Sequence, residues 1–336
     1  DLIFSSYNIF YRLSLRKTSI FVTDKIAYFV IFLQLFFMAF NIKEGVNVAG
    51  AGTTVSGGSA INYIFVIFQP DLIFTILSVF FRSNKLFIIN VLIFLVSMFL
   101  RGWMGGVFII FFIVLARYYP IKLSIINSIK LLAAFCILIA LLPFILYAKW
   151  SMRSGDSLLD FFNMVPKILS IVDYGYVLDY LLNRFQHVGH IALIYENALK
   201  LHQDFNNSKF DSFWLDGLPQ FIFLKIFGFD LHRLNSYMVE FFFGIPNATW
   251  NTSPGISGWF ILLNERSLTV ICYLLFFFFA PLYFFARYAG AQFFLIFNCF
   301  TVLYLFHGWF GAYFNFMFYG FILVTLLKAR FFNARF

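Results

Sequence analysis

Hydrophobic residues occur in long runs along most of this chain, and polar residues are concentrated in short turns and in one long central stretch. A bilayer core about 30 Å thick is crossed by roughly 20 helical residues, and a helix satisfies its backbone hydrogen bonds internally. The runs therefore predict transmembrane helices, eight in all. They lie near residues 24–42, 61–81, 86–100, 104–117, 124–148, 267–286, 291–307 and 311–327.

The pattern predicts an all-α polytopic membrane protein with three parts. Residues 1–148 form an N-terminal segment and the first five spans, and residues 267–336 form the last three. Residues 149–266, called the polar loop below, are too long and too polar for a simple connection, and we expect short amphipathic helices within them.

Composition supports this class. The chain is 62% hydrophobic and only 12% charged, which excludes an ordinary soluble domain. Its three cysteines fall inside apolar runs without metal-ligand spacing, so we predict neither disulfides nor a zinc site. Because the chain begins with Asp1 in what reads as the tail of an apolar segment, we expect it to start inside a longer protein.

The charges predict an orientation. Placing the basic N-terminal residues 11–17 in the cytoplasm puts every other short basic turn on the same side, as the positive-inside rule requires. These turns contain Arg82, Lys85, Arg117, Lys122, Arg287, Lys328, Arg330 and Arg335. The polar loop holds nine Lys or Arg and eleven Asp or Glu within a chain of net charge +9. It is therefore expected on the outer side, together with the Gly-rich and Ser-rich residues 43–60, which form a linker or a lid.

Arg101 interrupts two apolar runs in the stretch "RGWMGG". The flanking helices are short, so their turn is expected to lie within the outer leaflet, near the lipid headgroups. An arginine at that depth must be paired, reach the interface by snorkelling, or bind an anion, and a guanidinium suits a phosphate. No carboxylate lies in this hairpin, which favours an external anion, and the glycines permit close approach of a ligand. His307 and Asn315 lie near the tip of the last hairpin, where we expect a structural hydrogen bond for His307.

Arg184, His187 and His190 follow one another at three-residue steps early in the polar loop. If this stretch is one helix, the three side chains share a face. A cation beside imidazoles suits phosphate binding and proton transfer. Metal binding is the alternative, but no further ligands follow at a recognisable spacing.

The second half of the polar loop supplies the other candidates. Residues 218–236 resemble an interfacial helix that carries Lys225, His232 and Arg233. Trp259 is expected either to stack on a sugar or to anchor the chain at the interface. Glu240 and Arg153 complete the set of candidate substrate-binding residues.

Three features together resemble a known family, the bacterial O-antigen polymerases of the Wzy type, which are related to the O-antigen ligases. The first is "RGWMGG", and the second is "NRF" at residues 183–185. The third is "GLPQFIFLKIFGFDLHRLN" at residues 217–235, followed by "NATWNTSPGISGWFILLNE" at residues 247–265. Gln220 stands where the family often has an Arg after Pro219, and Arg233 or Arg184 would substitute for that charge. The resemblance covers roughly residues 45–285.

The resemblance implies a GT-C-like glycosyltransferase of the bacterial inner membrane, with its large loop in the periplasm and no metal or other cofactor. It would transfer a growing glycan from undecaprenyl diphosphate to the terminal sugar of an incoming lipid-linked repeat unit. Arg101 and Arg184 would clamp the diphosphate, with Lys225 and Arg233 as further cations. The candidate bases are His187, His190, His232 and Glu240. The implied partners are the lipid-linked oligosaccharide, membrane lipids, a chain-length regulator and a flippase, with no nucleic acid.

Three other functions stay open. An O-antigen ligase would share this architecture but use a lipid A core acceptor. A lipid-linked oligosaccharide flippase or other transporter should carry polar residues at mid-membrane, and Gln69 and Asp71 around Pro70 are the main examples here. A membrane acyltransferase would require a His motif, for which His307 alone is thin support.

Overall fold

Helices make up nearly all of the secondary structure. The computed structural model describes residues 2–15, 20–45, 60–103, 105–119, 124–154, 163, 171–185, 188–245 and 252–329. Within these ranges there is no β-strand, and only two isolated bridges occur, Val22 with Phe81 and Asp211 with Arg233.

The N-terminal part of the chain contains seven helices in its described residues. They are α1 (Leu2–Leu15), α2 (Asp24–Glu44), α3 (Ala60–Phe68), α4 (Pro70–Leu77), α5 (Asn84–Leu100), α6 (Gly105–Arg117) and α7 (Ile125–Ser154). The polar loop and its exit follow as α8 (Ile171–Phe185), α9 (Val188–Glu196), α10 (Ala198–Asn206), α11 (Leu218–Ile226), α12 (Leu234–Phe243) and α13 (Gly255–Leu263). The C-terminal part contains α14 (Ser267–Tyr288), α15 (Ala291–Phe300), a π-helical segment (Thr301–Phe306) and α16 (Phe310–Lys328).

Five of these helical segments are long and apolar enough to cross a membrane. They are Asp24–Glu44, Ile61–Phe80, Ile125–Ser151, Gly255–Tyr288 and Phe310–Lys328. Three shorter apolar helices match the other predicted runs: Asn84–Leu100, Gly105–Arg117 and Ala291–Leu305. The prediction of an all-α chain with membrane-length helices is therefore confirmed, and the count of eight crossings stays a prediction.

The second predicted span is interrupted in the middle. Gln69 separates α3 from α4 and has a left-handed backbone with φ of 39°. Pro70 then begins α4, where its missing N–H costs nothing because the first helical positions lack an intrahelical acceptor. The interruption places Asp71 in the first turn of a new helix within the apolar run.

Three of the short basic turns lie close together at one end of the helices, called the basic end below. Arg117 donates hydrogen bonds to the carbonyls of Ser78 at 3.2 Å and Phe81 at 2.7 Å. Gln292 donates to the carbonyl of Arg117 at 2.9 Å, which joins the start of α15 to the end of α6. These contacts agree with the prediction that the basic turns share one side.

Helix α5 is attached to α2 by a buried amide pair. Gln34 donates from Nε2 to Oδ1 of Asn90 at 2.8 Å, and both side chains are buried. Asn90 also donates to the carbonyls of Leu86 at 2.8 Å and Ala27 at 3.3 Å. Small hydrogen-bonding side chains commonly join helices in this way where water is excluded.

Replacing Asn90 by Ala is therefore expected to lower the free energy of unfolding by about 1 to 3 kcal/mol, because the Gln34 amide loses its partner in a buried site. Asn298→Ala is the matched control, since the Asn298 amide donates only within its own helix, to Phe294. Unfolding in detergent would measure both variants. Equal losses from the two variants would contradict an interhelical role for Asn90.

Candidate functional site

Arg101 forms a buried ion pair with Asp71. Its Nη2 donates to Oδ2 of Asp71 at 2.7 Å, and Nε donates to the carbonyl of Ser97 at 3.1 Å. The guanidinium also lies 4.9 Å from the ring centre of Phe37. Arg101 is only 6% exposed, so its side chain turns back along α5 into the protein.

This pairing corrects one inference from the sequence. The absence of a carboxylate in the Arg101 hairpin favoured an external anion, but the structure supplies a carboxylate from α4 instead. The Asp71 side chain is 26% exposed. A diphosphate role for Arg101 stays a prediction, and it now requires the anion to join or displace Asp71.

The last hairpin packs against the helix that carries Asp71, since α16 contacts α4. Tyr304 lies in the π-helical segment that leads to the tip of this hairpin. The Trp309 ring lies 6.0 Å from the Tyr304 ring and 4.3 Å from the His307 ring. π-Helical segments recur at functional sites because they locally change which side chains face a neighbour.

The Thr-Ser-Pro-Gly stretch, residues 252–255, packs against the same hairpin tip. Ser253 donates from Oγ to the carbonyl of His307 at 3.2 Å, and its own carbonyl lies 3.3 Å from Nδ1 of His190. A Cβ added to Gly308, whose φ is +84°, would lie 2.7 Å from Cα of Gly255. The stretch therefore joins α9, which carries His190, to the last hairpin.

Arg233 and Asp216 form a second ion pair, in the polar loop. Nε of Arg233 donates to Oδ1 of Asp216 at 2.9 Å, and the other carboxylate oxygen accepts from the backbone N–H of Gly311 at 3.2 Å. The Arg233 side chain is 52% exposed, so an anion in solvent can reach it. His232 is also exposed and comes directly before Arg233 in the chain. The backbone N–H of His232 donates to Oδ2 of Asp211 at 2.7 Å.

Lys225 lines an apolar groove between α3 and α11, about 270 Å³ in volume. The other lining residues are Tyr63, Val66, Ile67, Leu218, Phe221, Ile222 and Ile226. Lys225 pairs with Asp230, and both side chains are largely exposed. The interfacial character predicted for this stretch agrees with the exposure of Phe223, Ile226 and Phe229.

A hydrogen-bonded carboxylate holds α10 to α12 in the polar loop. Asp204 accepts from Lys209 at 2.7 Å and from the Tyr237 hydroxyl at 2.6 Å. These two hydrogen bonds, with that of Lys209 the larger, lower the pKa of the Asp204 carboxyl. The Asp204 carboxyl is therefore ionised at neutral pH, and its two hydrogen bonds hold the helices together.

Trp259 lines one small cavity together with His232 and Arg233. It is 3% exposed, and its ring packs on those of Phe205, Phe210 and Phe213 with centroid separations of 6.2, 6.4 and 5.3 Å. The aromatic packing fixes the indole at the edge of this cavity, and a role for Trp259 in binding a sugar stays a prediction.

The remaining sequence candidates lie on different helices. Glu240 is exposed on α12. Arg184 lies in the last turn of α8 and His190 in α9, which are two helices rather than the single one that the spacing suggested. The backbone of Arg153 lies near the end of α7, whereas His187 and residues 46–59 of the predicted linker or lid lie outside the described residues. Over the residues that are described, no three His, Cys, Asp or Glu side chains are grouped to hold a metal ion.

Sequence reasoning missed two carboxylates, Asp71 as the partner of Arg101 and Asp216 as the partner of Arg233. The first had a usable signal, because a carboxylate and an arginine in neighbouring membrane runs are each costly unless they pair. Asp216 had none, because its contacts with Arg233 and Gly311 depend on how the polar loop folds over α16.

Comparisons with known proteins give no assignment. No family model, no curated protein and no solved structure matches this chain. What is established is a helical chain with membrane-length helices and a polar site beside them, and any function beyond that is a proposal.

Proposed function

We propose that this protein is an O-antigen polymerase that acts on glycans linked to undecaprenyl diphosphate. The observation that carries the proposal is the apolar groove between α3 and α11, with Lys225 in its lining and the polar loop beside it. A lipid-linked anion needs such a combination: apolar walls for the chain, a cation for the phosphate, and polar groups for the sugar.

The reaction joins two lipid-linked glycans. A hydroxyl on the terminal sugar of the incoming unit attacks the anomeric carbon of the growing glycan, and the bond from that carbon to the diphosphate oxygen breaks. The carrier diphosphate leaves, and the hydroxyl proton passes to a base. His190, His232 and Glu240 are the base candidates whose positions are described. Cations that bind the leaving diphosphate more tightly as its charge grows lower the barrier.

Arg233 is the best-placed leaving-group cation. Asp216 fixes one edge of its guanidinium through Nε, and the backbone N–H of Gly311 fixes that carboxylate in turn. The arginine is therefore oriented while it stays accessible, which is what a preorganised anion site requires. Arg101, by contrast, is held by Asp71 within the protein.

A transporter of lipid-linked glycans is the second candidate. It is favoured by the interruption at Gln69, because discontinuous helices often line transport sites. An O-antigen ligase would use the same groove and cations with a different acceptor, so the experiment must separate all three.

The test is to delete the gene and complement it with wild type, Lys225→Ala, Arg233→Ala or the control Lys200→Ala, at matched membrane levels. Lys200 is an exposed cation of the same loop, packed on Phe241 at 4.7 Å, with no place in the proposed reaction. Surface lipopolysaccharide and lipid-linked glycans are then separated on gels. We expect Lys225→Ala and Arg233→Ala to reduce the amount of polymer about tenfold or more, because each variant loses a charge-assisted hydrogen bond to the diphosphate. Lys200→Ala should restore the wild-type amount of polymer.

The deletion strain distinguishes the functions. A core carrying a single repeat unit supports the polymerase. Lipid-linked polymer that accumulates on the outer face indicates a ligase, and single lipid-linked units trapped inside indicate a transporter. Wild-type ladders from both Lys225→Ala and Arg233→Ala would overturn the assigned cations.

A further inference from the structure

Two exposed cations from different helices share one aromatic ring at the basic end. Arg287 lies in the last turn of α14 and Lys328 in the last turn of α16. Nζ of Lys328 is 3.7 Å from the ring centre of Tyr288, and Cζ of Arg287 is 5.5 Å from it. Nη1 of Arg287 also donates to the Tyr283 hydroxyl at 2.5 Å.

Among the described residues no acidic side chain pairs with these cations. The sequence contains no Asp or Glu after Glu265, and within the described part of the chain neither Arg287 nor Lys328 takes part in an ion pair. Helix α1 packs beside the cluster, since the Phe10 ring lies 5.8 Å from that of Tyr283, and its last turn carries the exposed Arg12. The cluster is therefore a positive site that no described carboxylate neutralises.

The cluster is expected at the depth of the lipid headgroups, because it lies where two membrane-length segments end. Arg287 and Lys328 come at the ends of two membrane-length segments, Gly255–Tyr288 and Phe310–Lys328. Tyr283, one turn inside, is 42% exposed and presents an apolar ring beside its hydroxyl. Tyrosine with lysine or arginine at this depth is the usual composition of the membrane interface.

Helix-end electrostatics explain only part of this arrangement. A cation in the last turn of each helix stabilises the partial negative charge of the helix C-terminus. That effect does not require the two cations to converge on one ring from two helices. Convergence instead creates a site with two donors for one phosphate, bordered by apolar surface.

We propose that Arg287, Lys328, Tyr283 and Tyr288 form a binding site for the phosphate of an anionic phospholipid. Arg287 and Lys328 bind the phosphate oxygens, the Tyr283 hydroxyl donates a further hydrogen bond, and the acyl chains lie against the exposed side of α14. Basic clusters between helices at a membrane surface suit such headgroups. The site is distinct from the proposed polymerase site and does not depend on that function.

The test compares lipids of the same chain length with different headgroups. Wild type, Arg287→Gln/Lys328→Gln and the control Lys25→Gln/Lys85→Gln are placed in nanodiscs of phosphatidylcholine, with or without phosphatidylglycerol. The control removes the same charge from two exposed lysines in the first turns of α2 and α5. Thermal midpoints are measured, and native mass spectrometry counts the lipid that stays bound to folded protein.

Phosphatidylglycerol is expected to raise the midpoint of wild type and of the control by about 5 °C, because a ligand that binds only the folded state stabilises it. The Arg287→Gln/Lys328→Gln variant should lose most of this rise and bind phosphatidylglycerol about tenfold more weakly. The thermal midpoint of this variant in phosphatidylcholine alone measures any loss of stability at the helix ends that does not depend on the anionic lipid. Native mass spectrometry measures lipid binding even if that midpoint is low.

Three results would overturn the proposal. One is an unchanged phosphatidylglycerol effect in the Arg287→Gln/Lys328→Gln variant, which would leave only the helix-end role. Another is an equal loss in the lysine control, which would mean nonspecific attraction to charge. The third is full stabilisation by inorganic phosphate in phosphatidylcholine, which would assign the site to a soluble anion.

Discussion

Asp71→Asn is expected to lower the free energy of unfolding by about 3 to 5 kcal/mol, because it leaves the Arg101 charge buried without its counter-ion. Arg101→Met should cost a similar amount by stranding the carboxylate. The double variant Asp71→Asn/Arg101→Met should recover most of the loss, since no buried charge remains. Chemical unfolding in detergent would measure all three, with wild type as the reference.

The exposed pair of Lys225 and Asp230 provides the control. Their side chains are 52% and 70% exposed, so Asp230→Asn should cost less than about 1 kcal/mol. If Asp71→Asn costs no more than Asp230→Asn, the pair of Asp71 and Arg101 is not a buried one in the membrane-embedded protein.

The same double variant separates structure from catalysis at Arg101. If Arg101 also clamps the diphosphate, Asp71→Asn/Arg101→Met should be folded but should make no polymer in the complementation test. A full ladder from this variant would limit Arg101 to a structural role. Single Ala variants cannot decide this question, because they alter stability and charge together.

Gly308→Ala is expected to destabilise the protein by about 2 to 4 kcal/mol, the sum of backbone strain and overpacking. The strain follows from its φ of +84°, and the overpacking from a Cβ that would lie 2.7 Å from Cα of Gly255. The contacted atoms belong to the backbone and cannot rotate away. Thermal and chemical unfolding in detergent would measure the loss.

Gly244→Ala is the matched control for this prediction. Gly244 has a similar φ of +65°, but a Cβ there would meet nothing within 4 Å. It should therefore cost about 1 kcal/mol, from backbone strain alone. Equal costs at the two glycines would mean that the Thr-Ser-Pro-Gly stretch does not press against the last hairpin. Because that stretch also contacts His190, we expect Gly308→Ala to reduce polymer more than Gly244→Ala at equal membrane levels.

Local hydrophobicity allowed the helices to be predicted with fair accuracy. The hydrophobicity of a run is a property of the residues within it and needs no knowledge of the rest of the fold. The predicted spans 24–42 and 311–327 accordingly agree closely with α2 and α16. The grouping of basic turns also followed from sequence, because it depends on the alternation of runs and turns. Pro70 marked where the second run could break, although the left-handed Gln69 was not foreseen.

The candidate site could be predicted only as a set of residue types. Arg101, Lys225, His190 and Arg233 were identified by chemistry. Asp230, the partner of Lys225, lies only five positions away, but Asp71 and Arg101 are separated by 30 positions. A tryptophan near an interface motif has the same sequence signature whether its ring is exposed or buried, and only the structure shows that Trp259 is buried at the edge of the cavity that contains Arg233.

The sequence by itself determined the class of this protein, a helical chain with helices of membrane length, since each helix depends on the composition of a local segment. Only the tertiary structure decided which charges are satisfied. Asp71 neutralises Arg101 and Asp216 orients Arg233, whereas Arg287 and Lys328 pair with no carboxylate among the described residues. The physical reason is that pairing depends on distances of a few ångströms between distant segments, which helix packing sets and local patterns do not record.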